Sequence, residues 1–276
     1  MTQYGRKSEH IYEELGPWAT DYFIQKTNEL YIGDTHIVRK SISRRDEVLN
    51  KLLARYFDHS GSKDMITSTL VDQSDSLSDK AAKLVDLVAR QDLETTGVIF
   101  VKERVIVSVL FQILSTHSRT AERFKFATFV GLSSSVKKKV GIHELLDLES
   151  QHESLEAFRI KQKHIILATD VLEEGIDVAA CNLVICFDPP ANLKSFIQRR
   201  GRARQQQSQF VVMQPCRSTK TKLDRWIQLE KEFIRVCQDE ERMRQTVLSV
   251  EERDEHLDLI LRDESTGYGL SHVLFQ

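Results

Sequence analysis

The sequence has no GxxxxGK[ST] loop and no apolar strand ending in Asp-Glu, the features that cradle nucleotide phosphates and hold Mg²⁺ beside them. Asp254-Glu255-His256-Leu257 carries suggestive letters, but no strand precedes it and it lies in a charged helical tail. This chain alone is therefore not expected to hydrolyse a nucleoside triphosphate. No uninterrupted apolar run approaches the roughly 20 residues of a membrane span, and residues 1–10 lack the apolar core of a secretory signal. A cytoplasmic or nuclear location is the default expectation. Four cysteines, Cys181, Cys186, Cys216 and Cys237, form no CxxC pair and have no His at ligand spacing, so neither a zinc site nor a disulfide frame is expected.

What remains is an ordinary folded composition. With 276 residues, 41% hydrophobic and 29% charged, the chain can bury a full core as one large domain or two modest ones. A net charge of −2 conceals a local imbalance: residues 191–226 hold nine Lys and Arg against one acid, Asp224. Such a stretch suits an anionic partner or forms a solvated basic face.

In chain order, residues 1–60 read as helical. Ile11, Leu15, Trp18 and Tyr22 recur at helical steps, and Gly16-Pro17 must bend or restart the helix, because proline is tolerated only in a first turn. Residues 46–57 give a second apolar stripe through Val48, Leu52 and Tyr56. A Ser-, Asp- and Gly-rich stretch, 59–79, contains a short apolar piece at 65–71 and marks a boundary. Ser78 is then placed to cap a helix over 79–90.

From Thr96 strands and helices alternate. Residues 97–101 read as a strand buried on both faces, 103–114 as a helix, 126–131 as a strand and 145–158 as a helix. The basic run 133–139 lies in a loop that either holds phosphate or is solvated. Three more strands follow, at 164–168, 183–187 and 210–213. The pattern predicts an α/β fold, a mostly parallel sheet with helices on both faces, after a helical module and before a long helical arm over 219–250. That arm is expected to pack on a neighbouring module. The final Val273-Leu274-Phe275-Gln276 resembles the remnant of a protease-cleavable tag and is given no functional weight.

Chemistry gathers in residues 164–214. The strand at 164–168 delivers Thr169 and Asp170 to a sheet edge, and Gly175 permits close backbone approach before Asp177. A Thr hydroxyl suits a nucleic-acid phosphate; a carboxylate suits a ribose or an arginine, or serves only as a helix cap. In Gln198–Arg204, QRRGRAR, Arg202 and Arg204 flank Ala203. Their planar, permanently charged forks fit phosphate oxygens, as surface contacts to nucleic acid or as fingers reaching across a cleft to a bound nucleotide.

These residues carry a resemblance. ATDVLEEGIDVAACNLVICFDPP followed by QRRGRAR resembles motifs V and VI of the superfamily-2 helicases, in wording closest to the Dicer and cytosolic RNA-sensor branch. GVIFVKER at 97–104 resembles motif IV of that branch, and QHESLEAFR at 151–159 its lead-in to motif V. ELGPWATDYFI at 14–24 is similar to the start of the helical insertion in fungal Dicer-like proteins, and 223–250 to the pincer helices that follow.

The resemblance implies a helical insertion-like module at 1–75, a second RecA-like domain at 76–216, a pincer-like arm at 217–262 and an unassigned tail at 263–276. It implies that Arg202 and Arg204 reach ATP phosphates while Gln198 orders that site, that Gly175 and Asp177 lie near the ribose, and that Lys102, Arg104 and Thr169 touch RNA backbone. ATP would be shared with a first RecA-like domain that this chain lacks, in the same or another chain, and Mg²⁺ would be held by that domain. The implied partners are double-stranded RNA and that first domain, with no membrane. The implied role is the C-terminal half of an ATP-dependent RNA helicase module in RNA silencing. A non-catalytic RNA-binding or regulatory fragment, and half of a DNA-repair helicase, are the alternatives.

Overall fold

Gly16 interrupts the first helical stretch with φ +99°. In the computed structural model, which describes residues 3–33, 76–130, 151–173, 180–205, 207–214, 222–238 and 271–274, it separates α1 (Gln3–Leu15) from α2 (Pro17–Gly33). A Cβ at this position would lie 2.5 Å from the backbone nitrogen of Ser78, so only glycine allows that approach. Ser78 N donates to Leu15 O at 3.0 Å, and Trp18 N donates to Ser76 O at 3.1 Å. The Ser78 hydroxyl donates to Glu14 O and accepts from Ala81 N at 3.1 Å, capping α3 (Asp79–Ala89) as the sequence predicts. Ile11, Leu15, Trp18 and Tyr22 are all buried. The expected helix over 46–57, the piece at 65–71 and the loop at 133–139 lie outside the described residues.

By its contacts the chain divides into two compact units, Met1–Ala179 and Ala180–Gln276. In the first, β1 (Gly97–Phe100) leads into α4 (Arg104–Thr116), the short α5 (Ser118–Ala121), β2 (Phe126–Phe129), α6 (Gln151–Arg159) and β3 (Ile165–Ala168). The strands are parallel in the order β2-β3-β1, with Phe100 and Phe129 both level with Ala168. Every strand residue is buried, as continuous apolar runs require of a parallel sheet covered by helices. Helix α4 packs on β2 and β3 and also meets α1 and α2. That double contact explains its eight buried residues, six of them consecutive from Val105 to Leu110, more than a one-faced surface helix would bury.

The second unit pairs β4 (Leu183–Cys186) with β5 (Gln209–Val212) in parallel. Between them runs α7 (Leu193–Arg200), which Asn192 caps by accepting from Ser195 N at 2.8 Å. Phe196 of α7 is buried, edge-on to Phe210 at 5.6 Å and 5.8 Å from Trp226 of α8 (Lys222–Gln238). The arm's start, Leu223 to Glu230, thus docks on α7, whereas Phe233, Ile234 and Val236 further along are exposed. A strand absent from the sequence reading, β6 (Ser271–Leu274), pairs antiparallel with β5. The mostly parallel α/β arrangement is otherwise the one expected.

Candidate functional site

The last turn of α7 and the loop after it carry four arginines with different surroundings. Arg199 is 5% exposed and its guanidinium donates to Asp188 O at 2.8 Å, which ties the helix to the end of β4. Arg200 forms an ion pair with Glu230 of α8, and burial draws its guanidinium below its ordinary value. These two basic residues serve the fold, so the cluster is not uniformly a free basic surface. Arg202 is half-buried and Arg204 exposed.

The loop bearing Arg202 and Arg204 is held by backbone. Cys181 N donates to Arg202 O at 3.3 Å and Arg204 N donates to Cys181 O at 3.2 Å, a one-residue parallel bridge between Cys181 and Ala203. Arg202 and Arg204 flank the bridged Ala203, Arg202 lying in the turn that closes α7 with its N–H donating to Arg199 O at 3.1 Å. Arg204 Nε donates to Gly201 O at 2.9 Å, which steadies the fork. Gln198 is half-buried on α7, one turn before Arg202. Burial pushes the Cys181 thiol up to about 12, against the opposing pull of Arg202 and Arg204. The thiol is protonated at neutral pH, and both guanidinium charges are close enough to bear on it.

One residue that the sequence reading missed completes this strap. Gln205 N donates to Cys181 O at 3.4 Å, and its side-chain amide donates to Ala180 O. In sequence it is the first of three glutamines after the arginines, with nothing to distinguish it from a solvated linker.

The expected RNA-contacting residues belong to the other unit. Val101 N donates to Ala168 O at 2.8 Å and Thr169 N to Phe129 O at 3.2 Å, so Lys102 and Thr169 leave the sheet at the same edge, where the strands' carboxyl ends lie. Lys102 is exposed, and Arg104 is half-buried in the first turn of α4. Thr169 is 3% exposed, and its hydroxyl has no hydrogen-bond partner among the described residues. A buried hydroxyl without a partner is uncommon. Gly175 and Asp177 lie outside the described residues. Among those described, no group of three His, Cys, Asp or Glu is placed to hold a metal, and no helix is long and apolar enough to cross a membrane.

Comparison with known proteins places these elements in context. Residues 79–206 match the helicase conserved C-terminal domain family. The chain is 40% identical over 264 residues to Dicer-like protein 2 of Aspergillus fumigatus, covering 95% of this chain and 19% of that protein. It is 37% identical over 281 residues to Dicer-like protein 2 of Cryphonectria parasitica, covering 98% of this chain and 18% of the relative. The chain thus spans about a fifth of the length of these relatives. Among solved structures, the C-terminal domain of the DEAD-box protein Dbp5 is similar with a TM-score of 0.37 at 22% identity, over 49% of this chain and 68% of that one.

Proposed function

From the premise that this chain carries the superfamily-2 helicase C-terminal domain of the Dicer-like branch, a RecA-like domain, we propose that it supplies the second half of an ATP-dependent RNA helicase module acting in RNA silencing. The observation that supports the reading is the bridge between Cys181 and Ala203, which pins the backbone of the loop bearing Arg202 and Arg204. A guanidinium held before the reaction stabilises developing phosphate charge without reorganising during it. In phosphoryl transfer such a finger is worth about 10³–10⁵ in rate.

In this reading ATP lies between this domain and a first RecA-like domain that also holds Mg²⁺, and it supplies the bond that is hydrolysed. Arg202 and Arg204 bind its phosphates, Gln198 orders the same site, and Gly175 with Asp177 lies at the ribose. Lys102, Arg104 and Thr169 hold the backbone of double-stranded RNA, which proteins recognise through shape and phosphate. Residues 1–75 act as the helical insertion, 76–216 as the RecA-like domain and 217–262 as the pincer-like arm. The compartment is cytoplasmic or nuclear.

The test joins this chain to a first RecA-like domain of the same branch. The chain alone is expected to show negligible ATPase, and the joined protein RNA-stimulated turnover that Arg202→Ala or Arg204→Ala lowers at least 10³-fold. Full turnover in the double variant removes the finger assignment, and equal stimulation by matched DNA removes the RNA assignment.

A further inference from the structure

The N-terminal helix brings two cations, Arg6 and Lys7, and the imidazole of His10 to the turn between β1 and α4. Arg6, Lys7 and His10 of α1, with Glu103, line an open recess of about 360 Å³. Steps of three and four residues put these α1 side chains on one helix face. His10 Nε2 lies 3.4 Å from a Glu103 carboxylate oxygen. Lys7 feels the same carboxylate while burial opposes its charge. Glu103 sits between Lys102 and Arg104, so α1 stands against the very turn to which RNA contact is assigned above.

Resting on the RNA-binding reading of that turn, we propose that the recess takes one sugar–phosphate step of RNA, with the α1 cations on the phosphate and Glu103 on the 2′-hydroxyl. Cations alone would suit any polyanion. A carboxylate among them repels phosphate and gains only where the ligand also presents a donor. Its two oxygens have about four acceptor sites, so pairing with His10 leaves acceptor capacity for a ligand hydroxyl. Inorganic phosphate offers no such sugar donor, and DNA lacks the 2′-hydroxyl that RNA offers as both donor and acceptor. The recess therefore extends the RNA track from the sheet edge onto the first helix and reads the sugar there.

The experiment is fluorescence anisotropy of this chain with matched double-stranded RNA and DNA across a salt series. Arg6→Ala/Lys7→Ala is expected to weaken RNA binding and to reduce the salt slope by about two. Arg6→Glu, at an exposed position, is expected to weaken it further without unfolding. Glu103→Ala is expected to lower the RNA-over-DNA preference by about tenfold, with Glu103→Gln keeping part of it as a remaining acceptor. Lys102→Ala/Arg104→Ala is the control for the underlying reading. If that pair weakens RNA binding while Arg6→Glu and Arg6→Ala/Lys7→Ala leave it unchanged, the recess is overturned and the RNA reading stands. An unchanged RNA-over-DNA ratio in Glu103→Ala overturns the sugar contact, and RNA binding indifferent to all variants overturns the reading beneath.

Discussion

Arg200 of α7 and Glu230 of α8 form an ion pair two residues before Arg202, with the two side chains 22% and 14% exposed. The arm is thereby fastened to the helix that leads into Arg202 and Arg204, and the aromatic contact of Phe196 with Trp226 runs alongside. Removing one partner of a largely buried pair leaves the other desolvated and uncompensated. Arg200→Met or Glu230→Gln is expected to lower stability by about 1–3 kcal/mol in denaturant unfolding. The double change Arg200→Met/Glu230→Leu is expected to recover most of that. A double variant as unstable as the sum of the singles would refute the pairing.

Gly16→Ala is expected to destabilise the chain by about 1–3 kcal/mol, since φ +99° is strained for any L side chain and the new Cβ would run into backbone at Leu77 and Ser78. Urea titration followed by circular dichroism measures it. Ser78→Ala, which removes the cap on α3 and the bond to Glu14 O, should cost about 1 kcal/mol. A neutral Gly16→Ala would mean that the two segments do not touch.

Cys181 makes stability fall in alkali. Its thiol is raised in the folded chain to about 12 from an ordinary value of 9.0, so between those values the unfolded chain loses this proton and the folded chain keeps it. The contribution is fully present below pH 9 and is lost as pH rises from there towards 12. Comparing wild type with Cys181→Ala across pH 8–11 isolates it from other titrating groups, and identical slopes would count against it. Below that range the thiol should resist alkylation until the chain is unfolded.

Gln205→Leu is expected to act at a distance from any nucleotide. Losing its amide bond to Ala180 O loosens the strap on Arg202 and Arg204. In the joined two-domain protein, kcat should fall about tenfold or more, as misplaced catalytic groups do, with little change in KM for ATP. Gln205→Glu, which keeps an acceptor but loses the donor, should behave like Gln205→Leu. A change confined to KM would instead assign Gln205 to binding.

Much of this was legible in the letters. Ser78 announced its helix because a cap needs only a local side chain and a following apolar period, and β1, β3 and β4 announced themselves as unbroken apolar runs. The four arginines after Gln198 did not sort themselves, because the distinction rests on partners far along the chain: a carbonyl at Asp188 for Arg199 and a carboxylate at Glu230 for Arg200. Strand β6 escaped notice because Ser271-His272-Val273-Leu274 is too short for a period, and its pairing with β5 is a main-chain matter. The recess on α1 was equally silent, since Arg6, Lys7 and His10 meet Glu103 only across nearly a hundred residues of chain.

The bond from Trp18 N to Ser76 O has a consequence for how this part of the chain tolerates change. The chain leaves the Gly16 junction through α2, which stays packed on α1 and α4, and comes back to it a hydrogen bond away, so the two ends of the excursion between Trp18 and Ser76 are held together. Lengthening such an excursion costs little, about 0.6 kcal/mol for each doubling, because its ends are already together. Insertions and deletions between 34 and 75 are expected to leave the sheet's register untouched, whereas a length change within α2 would shift residues packed on α1 and α4. The junction itself is the opposite: one added residue between Leu15 and Trp18 would break its hydrogen bonds at once. Length variation among relatives should therefore accumulate between 34 and 75 and stop at the neck.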